Sequence, residues 1–196
     1  AAGENVAIGY EALGDIHTGG GANVAIGYYA MRNVDEGTGG GDTDYNIAIG
    51  YDALKGGDFA SNDRQLQGNI AIGMQAMNST DDNAQTGTIA VGHHSLKALT
   101  SGAGSTVIGY QSGDAITTGN YNTAIGYQAL SAEDTGDRNT ALGYQTLTAC
   151  TTGEENIAIG RNSMDACVSG SYNIGIGTNT LGALGDVGST FNIAIG

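Results

Sequence analysis

A short phrase, NxAIGYxAL in its clearest copies, recurs eleven times and constrains this chain more than any other feature. A glycine stands at the fifth position of every copy. The copies begin at Asn5, Asn23, Asn46, Asn69, Thr88, Ser105, Asn122, Asn139, Asn156, Asn173 and Asn192. Self-similarity at such a period is typical of solenoids, in which each coil touches only its neighbours. We therefore expect residues 1–196 to form a single elongated repeat domain, cut from a longer fibrous protein.

Residues within one repeat predict a short strand followed by a bend. The minimal repeat is 17 residues long, and its second and fourth positions carry branched side chains such as Val6 and Ile8, with alanine between them and glycine after them. Branched residues at i and i+2 favour a strand, whereas two glycines per repeat disfavour a helix. We expect positions two and four to face a core, and the alanine and glycine to form a bare face against which a second backbone packs. Positions six to nine, such as Tyr10 to Leu13, predict a second short strand.

These expectations describe an all-β fold, a parallel β-solenoid of about ten coils. Stacked parallel strands lie ~4.8 Å apart, so the rod would be roughly 50 Å long. The first residue of the repeat would form a ladder of amide hydrogen bonds from coil to coil. Its members are Asn5, Asn23, Asn46, Asn69, Asn122, Asn139, Asn156, Asn173 and Asn192.

Longer coils insert their extra residues between the second predicted strand and the next ladder position. The insertions span residues 37–45, 56–68, 78–87 and 183–191. Insertions in solenoids cluster on one side, often the binding side. We therefore expect recognition there, with the candidate residues Asp42, Tyr45, Phe59, Asn62 and Arg64.

Charge excludes some partners. The net charge is −14, from 20 acidic and six basic residues. Nucleic acid and anionic membranes are therefore poor partners. The sequence also contains no apolar run long enough to span a membrane.

The acidic insertions suggest a calcium site or, alternatively, solvated loop charge. The candidate ligands are Asp42, Asp44, Asp58, Asp63, Asp81 and Asp82. Their spacing does not match the EF-hand loop, because Ala53 stands where that loop needs Glu. No cofactor is expected beyond this possible calcium ion.

Cysteines and histidines are the other candidates for chemistry. Cys150 and Cys167 are one repeat apart at position twelve, so they should stack either as a reduced buried pair or as a disulfide. His93 and His94 should point to opposite faces of a strand, and His17 lies in the first repeat. No constellation supports catalysis, and we do not expect an enzyme.

The recurring phrase, with TTGxYN from Thr117 to Asn122, resembles the head repeats of trimeric autotransporter adhesins and, more closely, the repeats of phage tail-fibre proteins. The resemblance covers essentially the whole chain. It implies a β-roll packed as a homotrimer, with subunits meeting at the bare alanine and glycine face, located outside the cell on a virion or cell surface. The repeat here is longer than the usual adhesin unit and carries a distinctive tyrosine, which favours the fibre variant.

The resulting functional hypothesis is a structural and adhesive fibre segment whose loops recognise a cell-surface receptor or glycan. A self-assembling extracellular filament is the first alternative, because uncapped coils expose strand edges. An ice-binding solenoid is a minor alternative, suggested by stacked threonines such as Thr123 and Thr140.

Overall fold

The chain forms a β-solenoid, as the repeat predicts. A computed structural model describes residues 3–14, 20–34, 42–56, 65–80, 84–182 and 189–196. Within these ranges the fold is all-β without a helix, and parallel strands stack in about 9 turns of about 18 residues each. The predicted fold class is confirmed.

In the described part of the chain, eleven three-residue strands form one continuous parallel sheet, here called the main sheet. Each strand pairs with its equivalent one coil away in exact repeat register, as in Thr123 with Thr140 and Ala124 with Ala141. The strands are Val6–Ile8 (β1), Val24–Ile26 (β2), Ile47–Ile49 (β4), Ile70–Ile72 (β6), Ile89–Val91 (β8), Thr106–Ile108 (β9), Thr123–Ile125 (β10), Thr140–Leu142 (β11), Ile157–Ile159 (β12), Ile174–Ile176 (β13) and Ile193–Ile195 (β14).

A second parallel sheet forms where the coils are longer. Its strands are Asp42–Asp44 (β3), Gln65–Gln67 (β5) and Gln85–Thr86 (β7), in the order β3-β5-β7. They lie in the sector of the insertions, just before each ladder position. At the last of these coils, the buried Gln85 side chain donates hydrogen bonds to the carbonyls of Leu99 and Thr100, at 3.2 and 3.0 Å. The Gln85 side chain thus supplies hydrogen bonds to the next coil at the point where the second sheet ends.

The main sheet turns position three toward the core, whereas positions two and four were predicted to face it. Position three is completely buried in eight of the nine coils between the terminal strands, where it is Ala25, Ala48, Ala71, Ala90, Val107, Ala124, Ala141 or Ala158. Positions two and four point outward instead, with Ile108 and Leu142 37% and 42% exposed. Successive strand residues alternate between faces, so burying position three necessarily exposes its neighbours. The expectation that positions two and four form the core is wrong.

The width of the coil explains this orientation. Position nine supplies a buried Leu or Met in most coils, such as Leu54, Met77 and Leu130, and position twelve adds buried Leu99 and Ile116. These side chains fill the narrow interior, so only a small residue fits opposite them.

The invariant glycine packs against the next coil of the same chain, whereas the resemblance implied contact with another subunit. It packs against the equivalent glycine of the next coil: a Cβ on Gly27 would lie 2.5 Å from the Gly50 carbonyl oxygen, and one on Gly143 2.7 Å from that of Gly160. Its φ is also positive, +135° at Gly27. The alanine and glycine therefore do not form a bare face for another subunit.

Positions six to nine form turns rather than the predicted second strand. Positions seven and nine have left-handed backbone in nearly every described coil, as at Gln128 (φ 51°) and Leu130 (φ 58°). Left-handed non-glycine residues cost free energy. Hydrogen bonds between coils offset this cost: Gln128 N–H donates to Tyr110 O at 3.0 Å, and Leu130 N–H to Thr146 O at 2.9 Å.

Asparagines at position one form a ladder of hydrogen bonds between coils. The Oδ1 of Asn139 accepts the backbone N–H of Asn156 at 3.0 Å and its side-chain N–H at 3.1 Å. The Nδ2 of Asn139 donates to Gly153 O at 2.7 Å, closing the end of its own coil. Similar bonds to the next asparagine or to a coil-closing carbonyl recur at Asn5, Asn23, Asn46, Asn69, Asn122, Asn156, Asn173 and Asn192.

Candidate functional site

The outward side of the main sheet, here called the aliphatic face, is a continuous apolar surface along the described rod. It consists of two in-register columns at positions two and four. Position two contains Val6, Val24, Ile47, Ile70, Ile89, Thr106, Thr123, Thr140, Ile157, Ile174 and Ile193. Position four contains Ile8, Ile26, Ile49, Ile72, Val91, Ile108, Ile125, Leu142, Ile159, Ile176 and Ile195. All of these side chains are partly or well exposed.

A column of aromatic side chains, the tyrosine column, flanks this face at position six. The rings of Tyr110, Tyr127 and Tyr144 stack with centroids 5.4 and 5.2 Å apart and planes within 10°. A second stack joins Tyr10, Tyr28 and Tyr51, and Met74 interrupts the column after it. Both faces of the inner rings Tyr28, Tyr110 and Tyr127 are covered by neighbouring rings. A sugar ring therefore cannot stack on these inner rings, which present only their edges and hydroxyl groups to solvent.

The two adjacent histidines lie on the same side of the coil, contrary to the prediction. Their ring centroids are 3.8 Å apart, and His93 also stacks on Tyr110 at 5.1 Å. The prediction assumed a strand, but His94 has left-handed backbone (φ 58°) in a turn. Burial, with the nearby His93 and Lys97, lowers the pKa of His94. His17 lies outside the described residues.

Two of the five candidate recognition residues can be placed. Asp42 is exposed on β3, at one edge of the second sheet, and Tyr45 follows that strand with 69% of its surface exposed. Phe59, Asn62 and Arg64 lie outside the described residues. The insertion sector therefore displays at least one carboxylate and one aromatic ring to solvent.

Calcium candidates are only partly placed. Asp44 Oδ1 accepts the backbone N–H of Gly21 at 2.6 Å, and Asp42 Oδ2 accepts Gln67 Nε2 at 3.3 Å. Asp58, Asp63, Asp81 and Asp82 lie outside the described residues. In the part of the chain that can be described, no group of three or more His, Cys, Asp or Glu is arranged to hold a metal ion.

Position twelve contains a buried carboxylate that sequence reasoning missed. Cys150 and Cys167 are buried there as thiols, and Glu133 occupies the same position one coil earlier. Glu133 Oε1 accepts the N–H of Gly136 at 2.7 Å, and burial raises the pKa of this carboxyl above its ordinary value. Counting 17 residues back from Cys150 would have identified it.

Comparisons with known proteins add no assignment to this geometry. Across the described ranges, no helix is long and apolar enough to cross a membrane. No protein-family model matches the chain, and no curated protein or solved structure is significantly similar to it.

Proposed function

We propose that this chain is a structural and adhesive segment of an extracellular fibre, of the phage tail-fibre or surface-adhesin kind that its repeats resemble. In this proposal three copies pack through their aliphatic faces into a homotrimeric rod. The insertion sector, on coils two to four, recognises a receptor or glycan on a cell surface. The chain serves as scaffold and ligand-binding surface rather than as an enzyme.

The aliphatic face is the observation that supports self-association. Its eleven strands, ~4.8 Å apart, and two side-chain columns, about 7 Å apart, cover on the order of 500 Å². With the tyrosine column, the surface approaches the roughly 800 Å² per partner of a standard stable interface. Apolar patches of this size on soluble proteins usually mark interaction sites. Further copies of this chain suit it best, because their columns have the same spacing, and the number three follows from the resemblance of the repeats.

Charge substitution on the aliphatic face tests this assembly. Ile72→Asp combined with Ile125→Asp would place carboxylates in the interface, so size-exclusion chromatography with light scattering should change from trimer to folded monomer. Thr118→Asp introduces a carboxylate at an exposed site away from the strands and should remain trimeric. If the unsubstituted chain and both variants are equally monomeric, self-association through this face is wrong.

Recognition by the insertion sector requires a separate experiment. Residues 57–64, which include Phe59, Asn62 and Arg64, can be replaced with a Gly-Ser linker of equal length. The expected result is loss of binding to a glycan array and to intact bacterial cells, with the trimer unchanged. Retained binding by the replaced chain would show that recognition lies elsewhere.

A filament remains the alternative assembly, with rods associating side by side through the same face. Open association would give particles whose mass rises continuously with concentration, whereas a trimer has one mass. Electron micrographs of the purified chain at high concentration distinguish the two.

Ice binding is the second alternative, and the orientation of the sheet bears on it. Thr106, Thr123 and Thr140 point outward in consecutive register on the parallel main sheet. The remaining eight residues of that column are Val or Ile. Thermal hysteresis measured on the purified chain tests this alternative, and an absence of hysteresis excludes it.

A further inference from the structure

Position twelve of the repeat forms one buried column whose chemistry changes along the rod. Leu99 and Ile116 are apolar, whereas Glu133, Cys150 and Cys167 follow them in three consecutive coils. All five side chains are at most 1% exposed. The aliphatic face and the insertion sector do not involve this polar part of the column.

Both sulfur atoms adopt the same orientation, one coil apart. A Cβ placed on Gly153 would lie 2.8 Å from Cys150 Sγ, and one on the equivalent Gly170 would lie 3.0 Å from Cys167 Sγ. The two coils are joined next to the sulfurs by the hydrogen bond from Thr151 N–H to Val168 O, at 2.8 Å. A coil spacing of ~4.8 Å lies within the range of Cα separations that disulfides span. Rotation of the two side chains toward each other, with a small local approach of the coils, would join the sulfurs.

The two thiols have different surroundings. The Cys167 thiol donates to Gly170 O at 3.9 Å. In the stacked coils the neighbouring Cys150 lowers the pKa of Cys167, whereas the neighbouring Cys167 and burial raise the pKa of Cys150. Glu133 lies one coil before Cys150 at the same buried position, so its carboxylate is placed to accept the proton of Cys150 once the coils stack. Cys150 is therefore the thiol that attacks second.

We propose that Cys150 and Cys167 are a modification site, at which a small-molecule disulfide such as oxidised glutathione closes them into a covalent link between consecutive coils. The Cys167 thiolate attacks one sulfur of glutathione disulfide and releases the first glutathione thiolate. Cys150 passes its proton to Glu133 and attacks the Cys167 sulfur of the mixed disulfide, which releases the second. Two electrons pass from the protein to glutathione, and the two protons end on the released thiolates.

Burial determines when this exchange occurs. Neither sulfur is open to solvent in the stacked coils. The first attack therefore takes place during folding, before the coil that carries Cys167 stacks on the coil that carries Cys150. Docking then brings Cys150 to the mixed disulfide and expels glutathione. The link lies in the region of 17-residue coils, beyond the last strand of the second sheet at Thr86. It would clamp coils that have one described sheet instead of two.

Refolding with and without oxidant tests the proposal. The full chain is refolded from guanidinium chloride in oxidised or in reduced glutathione, then denatured, treated with iodoacetamide and weighed by mass spectrometry. After oxidised refolding we expect a mass about 2 Da lower, no alkylation, and a Tm raised by roughly 5 °C. After reduced refolding we expect two alkylated cysteines.

Two variants complete the experiment. The Cys150→Ser/Cys167→Ser chain should show the same Tm under both refolding conditions, which assigns the gain to the link. Glu133→Gln keeps a hydrogen-bond acceptor but not the base, and should close at least ~10-fold more slowly at neutral pH.

The outcomes separate the claims. Two alkylated cysteines after oxidised refolding, a persistent glutathione adduct or a disulfide between chains would overturn the coil-to-coil link. Closure of Glu133→Gln at the unsubstituted rate would remove only the role of Glu133 as proton acceptor.

Discussion

At the scale of single residues, the constancy of the repeat has two separate physical causes. The glycine at position five has a backbone conformation with φ near +135°, where other residues are strained, and its Hα touches the next coil. The asparagine at position one joins the next coil and closes its own coil at the same time. Both residues belong to the scaffold, so neither carries specificity.

Two glycine substitutions distinguish the close packing of the position-five glycine between coils from the preference of glycine for a positive φ. Gly126→Ala would place a methyl group into the Gly143 backbone at φ +142°, so we expect a loss of at least about 3 kcal/mol in unfolding free energy. Gly68 also has positive φ (+66°), but a Cβ there meets no atom within 4 Å. Gly68→Ala should therefore cost only about 1 kcal/mol. Guanidinium chloride unfolding followed by circular dichroism measures both, and equal losses would contradict the stacking role.

One coil has serine, Ser105, in place of the ladder asparagine and shows what a smaller side chain can preserve. Ser105 Oγ still accepts the N–H of Asn122 at 3.0 Å, which preserves one link between coils. Asn139→Ser should therefore retain more stability than Asn139→Ala, which leaves the N–H of Asn156 and the carbonyl of Gly153 unpaired. We expect the alanine variant to lose about 3 kcal/mol and the serine variant about half of that. Small losses for both variants in thermal unfolding would mean that the ladder bonds contribute little.

Glu133 predicts an unusual dependence of stability on pH. Because burial raises the pKa of its carboxyl in the folded chain, protonation favours the folded state. This contribution is fully present below the unfolded pKa of 4.5 and is lost as pH rises through the higher folded value. Glu133→Gln should flatten that part of the Tm profile and raise Tm at pH 7. A profile unchanged by the substitution would show that Glu133 does not control it.

At the scale of the coil, a larger buried side chain at one position can make up for a smaller one at another, so that the interior of the coil stays filled. The Ser105 coil has Gly113 at position nine, where most coils have Leu or Met, and Val107 at position three, where most have Ala. A Cβ on Gly113 would lie 3.3 Å from Val107 Cγ1 and 3.0 Å from Ile116 Cδ1. The larger valine thus occupies space that the missing leucine leaves.

A double-mutant cycle tests this exchange. Val107→Ala leaves a cavity and Gly113→Leu overfills the core, so each should destabilise the chain by about 1–3 kcal/mol. Together they restore the arrangement of a regular coil, and we expect a favourable coupling of about 1–3 kcal/mol. Thermal unfolding of the four chains measures it, and simple additivity would contradict the compensation.

The coil also shows how far sequence alone could predict this fold. Periodicity was sufficient for the parallel solenoid, because the phrase recurs in register. It did not determine which face of the strand points inward: Ala124 between Thr123 and Ile125 fits either orientation until the space taken by Leu130 is known. It also misplaced His94, because a left-handed residue at position seven has no consistent residue type.

At the scale of the whole molecule, the same alternation produces both the scaffold and its proposed assembly. Small residues turned inward allow thin coils to stack closely, and the branched residues are consequently presented outside along all eleven strands. A rod with a continuous aliphatic face gains free energy when copies cover that face. Insertions then remain the part that varies along the rod, and there we place recognition.

Sedimentation equilibrium of the unsubstituted chain, across micromolar concentrations, tests the central claim of outward-facing branched columns that pack against other copies. We expect a single folded species with three times the 19.7 kDa mass of one chain. A folded monomer that stays monomeric at every concentration would contradict it.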